Sequence, residues 1–209
     1  KSVTSIGEYA FEYCSSLVSV TIPEGVTEID IQTFYKCTSL ARVEIPKSIT
    51  KIGGAAFSFC SSLESVALPE GLISIGNQAF NGCYALTSIK IPNSVTHIGE
   101  FAFGSCVSLT SISIPKQVTS IGDGAFFDCS SLTSITIPNS VTNIGTEVFS
   151  GCNSLTSMVV QDGNSTYNSK DNCNAIIETA TNTPIAGCQN TIIPNGVVAI
   201  GEFAFANID

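Results

Sequence analysis

Phenylalanine occupies positions 11, 34, 57, 80, 103, 126 and 149, a step of 23 residues with no insertion or deletion between copies. Cysteine keeps the same step from Cys14 to Cys152, leucine from Leu17 to Leu155, and proline from Pro23 to Pro138. One fixed period in the range of roughly 20 to 50 residues marks a repeat array, in which a unit buries its apolar side against its neighbours. The 209 residues are therefore read as a single domain: regular repeats over 1–160, an irregular repeat over 161–194 and a partial repeat over 195–209. Both ends are expected to be cut faces, because Lys1 falls inside a unit and Asp209 falls before the next strand.

Each unit divides into three parts. Ser19 to Ile22, like Ser134 to Ile137, alternates polar and β-branched apolar residues, the pattern of a short half-buried strand. Proline follows, and without an N–H it limits the strand. A second apolar-ended segment, Val26 to Ile29 or Val118 to Ile121, predicts an extended edge or a second short strand. Then Gly7, Gly53, Gly76, Gly99, Gly122 and Gly145, with Asp30 once in their place, precede x-x-A-F-x-x-C. Glycine and aspartate both serve as helix N-caps, so a short helix or 3₁₀ segment is expected. The core L-x-x-L-x-L pattern, here Leu17-x-x-Val20-x-Ile22 and Leu132-x-x-Ile135-x-Ile137, belongs to leucine-rich repeats. The expected fold is a β-rich α/β solenoid: a right-handed coil with a parallel sheet on one face and short helical or 3₁₀ turns on the other.

The period breaks after Val160. The next Ile-Pro, Ile193-Pro194, lies 33 residues beyond it instead of 23. The added stretch carries a turn signal at Asp162-Gly163-Asn164, a strand from Cys173 to Thr179, a turn at Thr181 to Pro184 and a return through Ile185 to Cys188. This predicts an inserted β-hairpin.

Seven of the nine cysteines share one repeat position. Stacked strands lie about 4.8 Å apart with parallel Cβ vectors, whereas a disulfide prefers converging Cβ atoms about 3.8 Å apart. The ladder is read as small buried thiols acting as hydrophobes. Cys173 and Cys188 flank the hairpin, where a disulfide and two free thiols are equally compatible with the sequence. Zinc would lack two further ligands there. Asp162, Asn164 and Asp171 fit no calcium loop and read as a solvated turn. His97, the one histidine, shares its position with Ser, Glu, Lys and Asn, so it is expected to face solvent. No nucleophile arrangement can be assembled around it, and no catalytic residue, cofactor or metal is assigned.

The formal net charge of −9, with eight Lys and Arg and no basic run, argues against nucleic acid. No apolar stretch reaches the 18 or so residues of a membrane span. Binding remains, and the alternating strand places its candidates. The outward residues line the continuous sheet face, the usual binding surface of solenoids. They include Thr21, Arg42, Glu44, Ser65, Ser88, Lys90, Ser111, Ser113, Ser134 and Thr136. Aromatics at Tyr9, Tyr13, Tyr35, Phe59, Tyr84, Phe101 and Phe127 fall near the opposite wall and are read mainly as packing between neighbouring turns.

With I-G-x-x-A-F-x-x-C-x-x-L-x-S-I-x-I-P repeated along it, the chain resembles the BspA-type (Treponema pallidum-like) leucine-rich repeat family. The resemblance implies a bacterial surface or secreted protein, extracellular, with adhesion to host matrix components or other cells as its role. Function is therefore expected to be non-enzymatic recognition of a protein or glycan by a monomer, through the sheet face. The alternative is a structural spacer without a ligand of its own.

Overall fold

The computed structural model of the chain describes residues 3–208. Ser19–Thr21, Arg42–Glu44, Ser65–Val66, Ser88–Lys90, Ser111–Ser113, Ser134–Ile137 and Ser157–Val160 are the strands of one face, one per coil. They pair in parallel and in register, in groups of two, three and two strands, so that Ser19 stands opposite Arg42, Lys90 opposite Ser113 and Thr136 opposite Val159. The segment after the proline is the second short strand: Glu28–Ile29, Lys51–Ile52, Ser74–Ile75, His97–Ile98, Ser120–Ile121 and Asn143–Ile144. These two-residue strands make one uninterrupted six-stranded parallel sheet. Its continuity exceeds that of the first face.

The short helix expected after the glycine does not form; the only helical element among the described residues is Lys170–Asn172. Consecutive β-turns take its place, and the reason lies in where the N–H groups go. In the third coil Ala56, Ser58 and Cys60 donate back to Gly53, Ala55 and Phe57 in the same coil at 3.1–3.3 Å, while Ala55, Phe57 and Phe59 donate across to Asn77, Ala79 and Asn81 of the next coil at 2.7–2.8 Å. An α-helix would direct every donor inward along its own axis and leave nothing to stack on. Alternation requires left-handed residues at the third position of the turns. In every unit from Phe11 to Phe205 the residues two before and two after the phenylalanine have positive φ, as at Ala55 (52°) and Phe59 (58°).

The N-cap reading of the glycine column is corrected as well. A Cβ built on Gly76 would lie 2.8 Å from the carbonyl carbon of Gly53 and from the nitrogen of Gly54. The coils approach backbone to backbone there, and from Gly53 to Gly145 a Cβ would meet the preceding coil's backbone within 3.0 Å, whereas Asp30 stands where the preceding Gly7 leaves room.

The core is a set of columns. Phe11 through Phe149 stack with centroids 5.2–5.7 Å apart and ring planes within 11° of parallel. Those separations are suited to offset stacking. Cys37, Cys60, Cys83, Cys106, Cys129 and Cys152 are buried free thiols, but they are more than hydrophobes. Each donates its S–H to the carbonyl of the phenylalanine one coil earlier, at 3.0–3.3 Å. Burial pushes these thiols up, Cys152 to about 12; Cys83 and Cys106 move in the same direction for the same reason.

Beyond Val160 the inserted segment is a three-stranded antiparallel sheet, Tyr167–Asn168, Ala175–Glu178 and Thr183–Gly187. The expected hairpin is its last two strands. Side chains of this unit close the last regular coil. The Tyr167 hydroxyl accepts from Ile144 N–H and Ser169 Oγ from Val160 N–H, each at 3.0 Å, while Asn164 Nδ2 donates to the carbonyls of Pro138 and Val141. Cys173 and Cys188 form no disulfide. They point into different clusters: Cys173 packs with Ala175 and Ile177, whereas Cys188 belongs to the main core.

Candidate recognition surface

All ten outward residues, Thr21, Arg42, Glu44, Ser65, Ser88, Lys90, Ser111, Ser113, Ser134 and Thr136, are exposed, while the residues between them, such as Val43, Ile89 and Ile135, are buried. The strand alternation thus presents two columns of small and charged side chains at the coil repeat. Charges on the face are partly tied down. Thr21 Oγ1 donates to Glu44 Oε2 at 2.9 Å, and Lys90 Nζ pairs with Glu70 Oε1 at 2.7 Å. Arg42 has no such partner among the described residues and is the free cation of the N-terminal half of the face.

His97 is exposed and its Nδ1 lies 2.7 Å from Thr96 Oγ1, on the short-strand sheet and away from the ten. Asp162 and Asn164 line one hollow, which Asp171 does not join; Asn164 is consumed by backbone contacts, its Oδ1 accepting from the N–H groups of Thr166 and Tyr167. No group of three or more His, Cys, Asp or Glu able to hold a metal occurs among the described residues. No helix among them is long and apolar enough to cross a membrane.

On the turn wall, Tyr13, Tyr35, Phe59 and Tyr84 pack edge to face at 5.6–6.4 Å, with Lys36 Nζ over the rings of Tyr13, Tyr35 and Phe59 at 5.2–5.8 Å. The rings satisfy one another and the lysine, as the packing reading requires.

Sequence reasoning missed a corner of the molecule. Where the chain leaves the first sheet, Asn93, Ser113, Ile114, Pro115, Lys116, Gln117 and Gln161 surround an open hollow of about 520 Å³. Only Ser113 belongs to the outward columns. A signal was present, since Gln161 stands where six preceding units have proline.

Parallel strands at a fixed coil repeat, an inward leucine, isoleucine and phenylalanine ladder and an outward polar face together define a leucine-rich repeat solenoid. Within that class the chain belongs to the BspA type leucine-rich repeat family, whose repeat region matches residues 1–99 and 60–176 in six copies. Similar solved structures include a leucine-rich cell surface protein of Faecalibacterium prausnitzii, 36% identical with a TM-score of 0.86 over 98% of this chain. The chain spans 56% of that protein's length. The T. pallidum leucine-rich repeat protein is 34% identical with a TM-score of 0.60, over 66% of this chain and 78% of its own. The pneumococcal vaccine antigen PcpA, 21% identical, shares the fold at a TM-score of 0.64 over 97% of this chain and 48% of its own. No curated protein matches the chain significantly.

Proposed function

We propose that the chain is a non-enzymatic recognition module, secreted or at the cell surface, that binds a protein or glycan through the sheet face in an adhesin-like manner. The observation that carries this reading is the contrast along the face. One column is nearly constant, with Ser65, Ser88, Ser111 and Ser134, while the next varies through Thr21, Glu44, Lys90, Ser113 and Thr136 on a frame held in fixed register. A rigid frame with variable outward groups keeps the ordering cost of binding low. Family membership and the F. prausnitzii protein's description as a cell surface protein support the location.

The test is binding of the chain to immobilised matrix proteins and mucin glycans, with Glu44→Lys and Lys90→Glu as variants. Saturable binding that either charge reversal weakens is the expected result. Binding indifferent to both, or none, would leave the chain as a spacer. Both residues are exposed and lie outside the core, so the variants fold; each surface pair contributes about 1 kcal/mol or less.

A further inference from the structure

The hollow at the strand exit has a composition unlike the rest of the surface. The chain carries 17 Asp and Glu against eight Lys and Arg, yet no acidic residue lines this hollow and Lys116 does. Around Lys116 stand two glutamines, an asparagine and a serine, over Ile114 and Pro115, both buried in the wall. None of the five polar side chains makes a hydrogen bond or ion pair with another described residue. Four other lysines are engaged, Lys51 with Glu28, Lys90 with Glu70, Lys36 with three aromatic rings and Lys170 with Asn182, whereas exposed Lys47 lines no such hollow. At about 520 Å³ the space exceeds the hollows beside Tyr167, of about 190 and 170 Å³, and falls in the range of small-molecule sites.

We propose that this hollow binds a carboxylated sugar unit of a glycan. Primary amides offer a donor and an acceptor each, the pairing that vicinal hydroxyls require, and an ammonium matches a carboxylate. An uncharged sugar would leave Lys116 unused, and a basic ligand would meet like charge with no carboxylate to offset it. The inference rests on the recognition reading and narrows its ligand, because Ser113 joins the hollow to the sheet face. It also gives a role to Gln161, which the interrupted repeat places where the regular units have proline.

The experiment is an NMR titration of the isotopically labelled 209-residue chain with methyl glucuronide, a methyl sialoside and methyl glucoside. Amide shifts confined to residues around 93, 113–117 and 161 are expected with one or both acidic sugars, and at least about tenfold weaker binding of the glucoside, the loss of one charge-assisted contact. Lys116→Ala should bring acidic sugars down to the glucoside level, and Gln117→Ala should weaken all three. The relative response to glucuronide and sialoside identifies the source of the carboxylate. Equal response to charged and neutral sugars, response elsewhere or insensitivity to Lys116→Ala overturns the inference. Binding to the matrix and mucin panel that depends on Glu44 and Lys90 but ignores Lys116 and Gln117 would defeat the hollow alone and leave the recognition reading standing. Acidic-sugar binding at the hollow with no panel binding would do the reverse.

Discussion

At the level of single residues, the same amino acid in the same repeat position serves under different constraints. A Cβ on Gly76 would meet the backbone of Gly53 and Gly54 at 2.8 Å, whereas a Cβ on Gly7 meets nothing within 4 Å. Backbone atoms cannot turn aside as a flexible side chain can, so the coils must separate locally. Gly76→Ala should therefore destabilise by about 1–3 kcal/mol, the usual cost of overpacking, and Gly7→Ala by less than about 0.5 kcal/mol, as for an open surface site. Urea midpoints of the two variants against the parent measure the difference. Equal midpoints would mean that close backbone approach does not select the glycine. Gly82 shows the second constraint: its φ of +69° is left-handed, and a Cβ there would press within 2.6 Å of the Phe59 ring. The Phe59 ring occupies the space that a side chain at position 82 would need.

The secondary elements show what could and could not be read ahead of the structure. Serine and isoleucine alternation located the strands of the first face, and with them every exposed candidate from Thr21 to Thr136, because a two-residue period depends only on local geometry. The turn wall was misread as helix because Ala10, Phe11 and Cys14, spaced i, i+1 and i+4, share an inner side in a helix and in linked turns alike. The choice is made by Phe57 and its equivalents donating to the next coil, a contact between units that no single unit reveals. The hollow was hidden for a related reason, since Gln161 reaches it from beyond the regular repeats. The interrupted unit gives this dependence on neighbours a direct measurement. Tyr167 Oη accepts from Ile144 N–H at 3.0 Å, at the edge of the six-stranded sheet. Tyr167→Phe keeps the ring and orphans the donor, so it should cost about 1–3 kcal/mol and speed amide exchange at Ile144. Unchanged exchange there would show that the hydroxyl does not close the sheet.

Over the whole molecule the thiol column makes one chemical demand on every interior coil. Cys37, Cys60, Cys83, Cys106, Cys129 and Cys152 each sit against a carbonyl in an apolar interior, and only the neutral thiol can donate there. Burial accordingly raises their pKa values, to about 11 at Cys37 and about 12 at Cys152, from an ordinary 9.0. Above pH 9 the unfolded chain releases these protons while the folded chain holds them, so folding becomes less favourable as pH rises. The stabilisation is fully present below pH 9 and is lost as pH climbs through the folded values, the window from about 9 to 12 at the column's ends. Each buried thiol contributes a slope of at most about 1.4 kcal/mol per pH unit. Urea unfolding measured from pH 7 upward should give a level midpoint and then a steep fall. Cys106→Ala should lower the midpoint at pH 7, through the lost volume and hydrogen bond, yet make the alkaline fall shallower by up to one thiol's share. A Cys106→Ala slope equal to the parent's would mean that the column is not held neutral by the stack. The expected pattern would instead tie the alkaline limit of the solenoid to the one ionisable side chain that every interior coil repeats.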